Sequence, residues 1–251
     1  MKLHLPLLDA DPASPFPDPR SALREPDGLL AFGGDLCPQR LRNAYRHGIF
    51  PWYSPGQPIL WWSPDPRTVF ASDGVHLSRR FRRQLRARRW TITADTAFAT
   101  VVTACADMPR KEGGGTWITP EMHAAYLALH DLGHAHAIEV WDDETLVGGL
   151  YGVALGHMFF AESMFSAHSG GSKVALAALA VILHAWGWPW IDAQVESPHL
   201  LRMGARTLPR ADFLAICAQQ TALPETTGPW HERIGRRSLE WLLANLPPAS
   251  H

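Results

Sequence analysis

From residue 77 onward, apolar positions along the chain fall into helical and then strand periods. Leu77–Arg89 reads as a basic helix, Thr96–Asp107 as a second and Pro120–Leu132 as a third, stopped by Gly133. The period then drops to two. His136–Trp141, Leu146–Ala154 and Met158–Phe165 predict a meander, with turns at Asp142–Glu144 and near Gly156. A loop over Ser166–Gly171 leads to an alanine–leucine helix, Ser172–Ala185, and then to a strand, Trp190–Val195. A short helix near Pro198–Met203, a helix over Arg210–Gln220 and another over Leu239–Leu246 complete the pattern. Helices, an antiparallel meander, a helix and a further strand predict an α+β fold.

Residues 1–66 break this rhythm. They are rich in proline and tryptophan, and the prolines favour turns and extended segments. One short helix is expected from Pro38 to His47, with proline in its first turn and Gly48 at its end. The chain therefore divides into a small N-terminal α+β domain, 1–66, packed on a larger domain, 67–251.

With 251 residues, 46% of them hydrophobic and 19% charged, the chain is globular in composition. No apolar run reaches the roughly eighteen residues of a membrane span. The start, "MKLHLPLLDADPASPFP", lacks the apolar core of a secretory signal. Cys37, Cys105 and Cys217 are odd in number and far apart, which fits a reducing cytoplasm better than a disulfide frame or a zinc site. The net charge of -1 conceals a cluster. Seven arginines lie between Arg79 and Arg89, and no acid lies between Asp73 and Asp95. Such a run is either a solvated helix face or a polyanion contact. Few large apolar residues accompany it, so nucleic acid is favoured over a membrane.

Two carboxylates stand on apolar strands. Strand alternation puts Trp190, Asp192 and Gln194 on one face, and Met158, Phe160, Glu162 and Met164 on one face of another strand. A buried carboxylate must be paired or hydrogen-bonded, or its pKa rises. An internal salt bridge to an arginine accounts for each acid on its own. Two polar clusters converging on one cleft is the functional alternative. His130, His134 and His136 straddle a helix end and a strand start, so their side chains should diverge and no metal site is expected.

The words "GLLAFGGDL", "GIFPWYSPGQPILWWSPDPR", "GTWIT", "LVGGLYGV", "AESMFS" and "IDAQV" stand in order over about residues 16–214. In them the chain closely resembles the leucyl/phenylalanyl-tRNA–protein transferases. The resemblance implies a C-terminal acetyltransferase-like (GNAT-related) mixed-sheet domain. It implies transfer of leucine or phenylalanine, and less well methionine, from aminoacyl-tRNA to the N-terminal Arg or Lys of acceptor proteins, which then enter N-degron proteolysis. It implies no cofactor and no metal, and a cytoplasmic monomer is expected. By resemblance Gln194 contacts the attacking amine, Asp192 orients or polarises Gln194, and Glu162 serves the cationic acceptor. Trp52 and Trp117 match positions at the aminoacyl-adenosine end. Leu150, Phe159, Leu179 and Leu183 match an apolar pocket for the donor side chain, and His199 shapes the loop over the amine. The helix bearing Arg79, Arg80, Arg82, Arg83 and Arg86 would contact tRNA phosphates.

Departures from the family pattern fall at Cys37, at Gly170 and Gly171, which should loosen their loop, at Ala193 and at Arg202. A CoA-dependent N-acetyltransferase is the rival enzyme, but "AHSGGS" lacks the leading basic or amide residue expected where helix N–H groups hold pyrophosphate. A non-catalytic tRNA-binding protein is the other rival. It gives no reason for Glu162, Asp192 and Gln194 on apolar strands.

Overall fold

The computed structural model describes residues 5–108, 117–225 and 227–248. Gly115 and Thr116 of the "GTWIT" word lie outside the described residues.

The N-terminal segment holds strands β1 (Leu7–Leu8) and β2 (Leu29–Gly33), helix α1 (Pro38–Arg46), and strands β3 (Phe50–Pro51) and β4 (Leu60–Trp62). The strands form a four-stranded sheet in the order β1-β2-β4-β3. Pro38 opens α1 as expected, and the Cys37 thiol gives it no side-chain cap.

The rest follows as β5 (Arg67–Ala71), α2 (Arg79–Leu85), β6 (Thr91–Ala94), α3 (Phe98–Asp107), α4 (Pro120–Asp131), β7 (Ala135–Asp142), β8 (Thr145–Leu155) and β9 (Met158–Ser166). Then come α5 (Gly171–Ala185), β10 (Trp190–Gln194), α6 (Pro198–Leu201), β11 (Arg206–Leu208), α7 (Arg210–Thr221), α8 (His231–Ile234), β12 (Arg237–Ser238) and α9 (Leu239–Asn245). The eight strands from β5 on form one mixed sheet in the order β11-β5-β10-β9-β8-β7-β6-β12. The α+β architecture and the β7–β9 meander are as expected. Strands β5, β6 and β11 join the sheet where the sequence pattern gave none, and α2 is shorter than its basic run.

Strand alternation sorts the core onto the two faces of this sheet. On one face α5 packs its Val174, Ala178, Leu179 and Leu183 against Ile138, Leu150, Phe159 and Ile191. On the other, α1, α3, α4 and α7 cover Tyr151, Val153 and Phe160. Leu41, Tyr45, Ile49 and Phe50 from the N-terminal segment belong to this second cluster, together with Phe213 of α7.

Gly171 faces Gly148 where α5 meets β8. A Cβ on Gly171 would lie 2.3 Å from the Val147 carbonyl oxygen, and one on Gly148 would lie 2.4 Å from Gly171 Cα. The two glycines let the start of α5 touch the backbone of β8.

Candidate active site

The sheet opens at its centre. Strand β10 pairs in parallel with β9 only where Trp190–Asp192 meets Met158–Phe160. Strand β9 runs on to Ser166, so the two strands part beyond Phe160. Both carry a bulge at this level. The register of β10 against β5 shifts between Asp192 and Gln194, and that of β9 against β8 shifts between Ala161 and Ser163. Ala193 and Glu162 are the extra residues. In the wedge lies a cavity of about 100 Å³ whose lining includes Phe70, Leu150, Met164, Leu176, Ile191, Leu200 and Glu162.

The bulges correct the simple alternation. Met158 and Phe160 face the α1–α7 side, but Met164 packs on the α5 side, because Glu162 flips the parity of the strand. Gln194 takes a left-handed backbone, φ +61°, a conformation that costs a side chain about 1–2 kcal/mol. What holds it there is Asp192, whose Oδ1 accepts the Gln194 N–H at 2.9 Å. Asp192 is wholly buried. It forms a bidentate pair with Arg67, which donates from Nε at 2.8 Å and from Nη2 at 2.7 Å. The Arg67 guanidinium lies between the rings of Phe50 and Phe213, 4.7 and 4.5 Å from their centres. Thus Asp192 orients Gln194 through the main chain, and the Gln194 side chain goes elsewhere.

It goes to Glu162. Gln194 Nε2 donates to Glu162 Oε1 at 2.7 Å, and the Tyr126 hydroxyl donates to Oε2 at 2.5 Å. Tyr45 stands 3.0 Å behind Tyr126, oxygen to oxygen. Burial pushes the Glu162 carboxyl up to about 7, with Asp192 adding to the rise, while Tyr126, Tyr45 and Arg67 pull the other way. A carboxylate poised there suits proton exchange at neutral pH.

The other expected residues sort clearly. Leu150 lines the cavity. Phe159, Leu179 and Leu183 are wholly buried in the core on the same side, and Leu176 and Leu200 take the lining places instead. His199 sits on α6, half-buried, its pKa lowered by burial and then by Lys173 and Arg202. Trp52 is 43% exposed and packs on Trp62, with ring centres 5.7 Å apart. Trp117 is half-buried against the N-terminal side of the core. Residues close to these tryptophans in sequence join the two segments, because Tyr53 Oη lies 3.2 Å from Thr119 Oγ1. Neither tryptophan lines the cavity in the wedge.

Arg79, Arg80, Arg82, Arg83 and Arg86 surround a groove of about 550 Å³. The Arg82 guanidinium is turned onto the Leu77 and Pro247 carbonyls. The three histidines go to separate partners. His130 binds the Ala135 carbonyl, His134 faces Glu225, and His136 pairs with Asp95 at 2.8 Å.

Sequence reasoning did not single out Arg67, Tyr45 or Tyr126. Arg67 ends the "SPDPR" word, and an arginine closing a proline-rich turn before an apolar run was the available signal.

The parting strands, the small cavity between them and the buried carboxylate beside them make this the candidate site. Two family models match the chain. "Leucyl/phenylalanyl-tRNA protein transferase" matches residues 69–218, and its N-terminal domain matches residues 34–65. The leucyl/phenylalanyl-tRNA–protein transferase of Xanthomonas axonopodis pv. citri is 65% identical over 238 residues, 94% of this chain and 96% of the relative. That of Xanthomonas campestris pv. campestris strain B100 is 66% identical over 92% of this chain and 93% of the relative. The Xylella fastidiosa M23 protein is 58% identical over 92% and 95%. Among solved structures, L-PGS from Bacillus licheniformis aligns over 68% of this chain and 57% of its own at 11% identity, with a TM-score of 0.39. The chain belongs to the leucyl/phenylalanyl-tRNA–protein transferase family and is an aminoacyltransferase.

Proposed function

We propose that the protein moves leucine or phenylalanine, and less well methionine, from aminoacyl-tRNA to the N-terminal Arg or Lys of acceptor proteins in the cytoplasm, marking them for N-degron proteolysis. The observation that carries this reading is the Glu162 carboxylate. It is held between an amide and a phenol, and Glu162 is also one of the residues that border the small apolar cavity.

The donor is an ester, so no further activation is required. The acceptor is an α-amine with an ordinary pKa of about 8, and it attacks in its neutral form. Its nitrogen bonds to the ester carbonyl carbon, and Glu162 takes the proton released. The C–O bond then breaks, and the proton held by Glu162 passes to the departing ribose oxygen, which returns Glu162 to its carboxylate form. Gln194 positions the amine, because its nitrogen is committed to Glu162 and its carbonyl oxygen remains as an acceptor. Asp192 and Arg67 act through Gln194 and are positioning residues. Leu150, Leu176 and Leu200 receive the donor side chain, and shape disfavours β-branched residues there. The arginines of α2 attract the phosphates.

The rival acetyltransferase reading needs open N–H groups at the start of α5. There the Ser172 N–H donates to Ser166 Oγ at 2.9 Å and the Gly171 N–H to the His168 carbonyl at 2.9 Å, so a pyrophosphate would have to displace them. No helix among the described residues is long and apolar enough to cross a membrane.

Mass spectrometry of an arginine-starting peptide incubated with charged tRNA tests the proposal. A gain of one leucine or phenylalanine, abolished by RNase, is the expected result. No gain rejects it.

A further inference from the structure

A second groove, of about 770 Å³, runs between α2 and the loop before α5. Its lining includes Ser78, Arg80, Gln84, Arg88, Ser169 and Lys173, with no acid among the residues that line it. Among the described residues, Arg80, Arg88 and Lys173 form no ion pair. Two of these cations rest on aromatic rings. Arg88 stacks 4.5 Å over Trp90 and lies 3.3 Å from His168 Nε2. Lys173 Nζ sits 5.4 Å over the Phe81 ring. A cation already fixed by stacking loses less entropy when it binds an anion. Since the first amides of α5 are taken by Ser166 and His168, an anion here would be held by side chains.

The position is as informative as the charge. Arg80 lines this groove and also the α2 groove, so the two make one cationic track. At its other end, Lys173 is one helical turn from Leu176, which lines the cavity in the wedge. Lys173 also acts electrostatically on His199, the neighbour of the cavity residue Leu200. An aminoacyl group hangs from the last nucleotide of a single-stranded RNA tail. With that group in the cavity, the preceding phosphodiesters leave past Lys173.

We infer that this groove seats the phosphodiester backbone of the donor RNA's single-stranded 3′ end, with Arg88 and Lys173 as its contacts. The inference rests on the transferase reading above and adds two contacts outside the α2 arginines.

The test is a fluorescence-anisotropy titration across a potassium chloride series. The probe is a labelled RNA stem–loop carrying a short 3′ single strand, compared with the same stem–loop cut blunt. For the tailed RNA, Arg88→Ala/Lys173→Ala should flatten the plot of log affinity against log salt by about 1.4, the value for two lost single-strand phosphate contacts. The blunt RNA should show a much smaller change, and Arg88→Ala/Lys173→Arg should recover part of the slope. An unchanged slope, or equal changes for both RNAs, overturns the inference. Peptide aminoacylation by the unmodified protein is measured alongside. Its absence would count against the transferase reading, while the binding comparison decides the groove.

Discussion

Removing Arg67 is the most demanding perturbation the site offers. Arg67→Met deletes the bidentate partner of Asp192, and both side chains are fully excluded from solvent. Breaking a buried pair from one side strands the other charge and typically costs about 3–5 kcal/mol. That is a large share of the roughly 5–15 kcal/mol that holds most domains folded. The double substitution Arg67→Met/Asp192→Leu removes both charges, so most of that loss should return. Transfer should not return with it, because the Gln194 N–H then has no carboxylate acceptor. A displaced amide here should lower kcat/KM on the order of 100-fold. Urea denaturation and peptide aminoacylation, run on the unmodified protein and both variants, separate the two effects. The reasoning is refuted if Arg67→Met costs less than about 1 kcal/mol, or if the double variant recovers transfer together with stability.

Glu162 should set the acid limb of kcat/KM, with a midpoint near 7, because burial has raised its carboxyl to about 7. The folded state then holds this proton between about 4.5 and 7 while the unfolded chain has lost it, so stability falls as pH rises through that window, by about 3 kcal/mol in all. Glu162→Gln should remove this slope from denaturation curves and suppress transfer. Tyr126→Phe deletes a hydrogen bond that lowers the Glu162 pKa, so the acid limb should move to higher pH in a rate profile. Leu150→Ala enlarges the cavity and should shift donor choice toward phenylalanine by roughly tenfold when leucyl- and phenylalanyl-tRNA compete. Gly148→Ala forces a Cβ to 2.4 Å from Gly171 Cα and should cost about 1–3 kcal/mol, read as a lowered Tm.

The long elements were legible because they carry many repeats of one period. The meander and α5 are the clearest, and the "IDAQV" and "AESMFS" words brought Asp192, Gln194 and Glu162 into view. Strands such as β5, β6 and β11, of three to five residues, hold too few alternations to separate from a turn. The bulges at Glu162 and Ala193 were hidden for a different reason. A bulge is a relation between two strands, and one strand's sequence does not state it. The partner of Asp192 was hidden by distance, since Arg67 lies 125 positions away in the chain. Either a salt bridge or a role in catalysis was open for Asp192. The structure gives it the salt bridge, and through the Gln194 N–H that same bridge reaches the candidate site.

The ring sandwich around Arg67 ties two distant parts of the chain to one guanidinium. Phe50 comes from the proline-rich opening and Phe213 from α7. A proteolytic nick ahead of residue 67 would therefore not free a detachable module. It would lift one lid from a charge that steadies β10, so loss of the opening segment should be sensed at Gln194, with no ligand carrying the message.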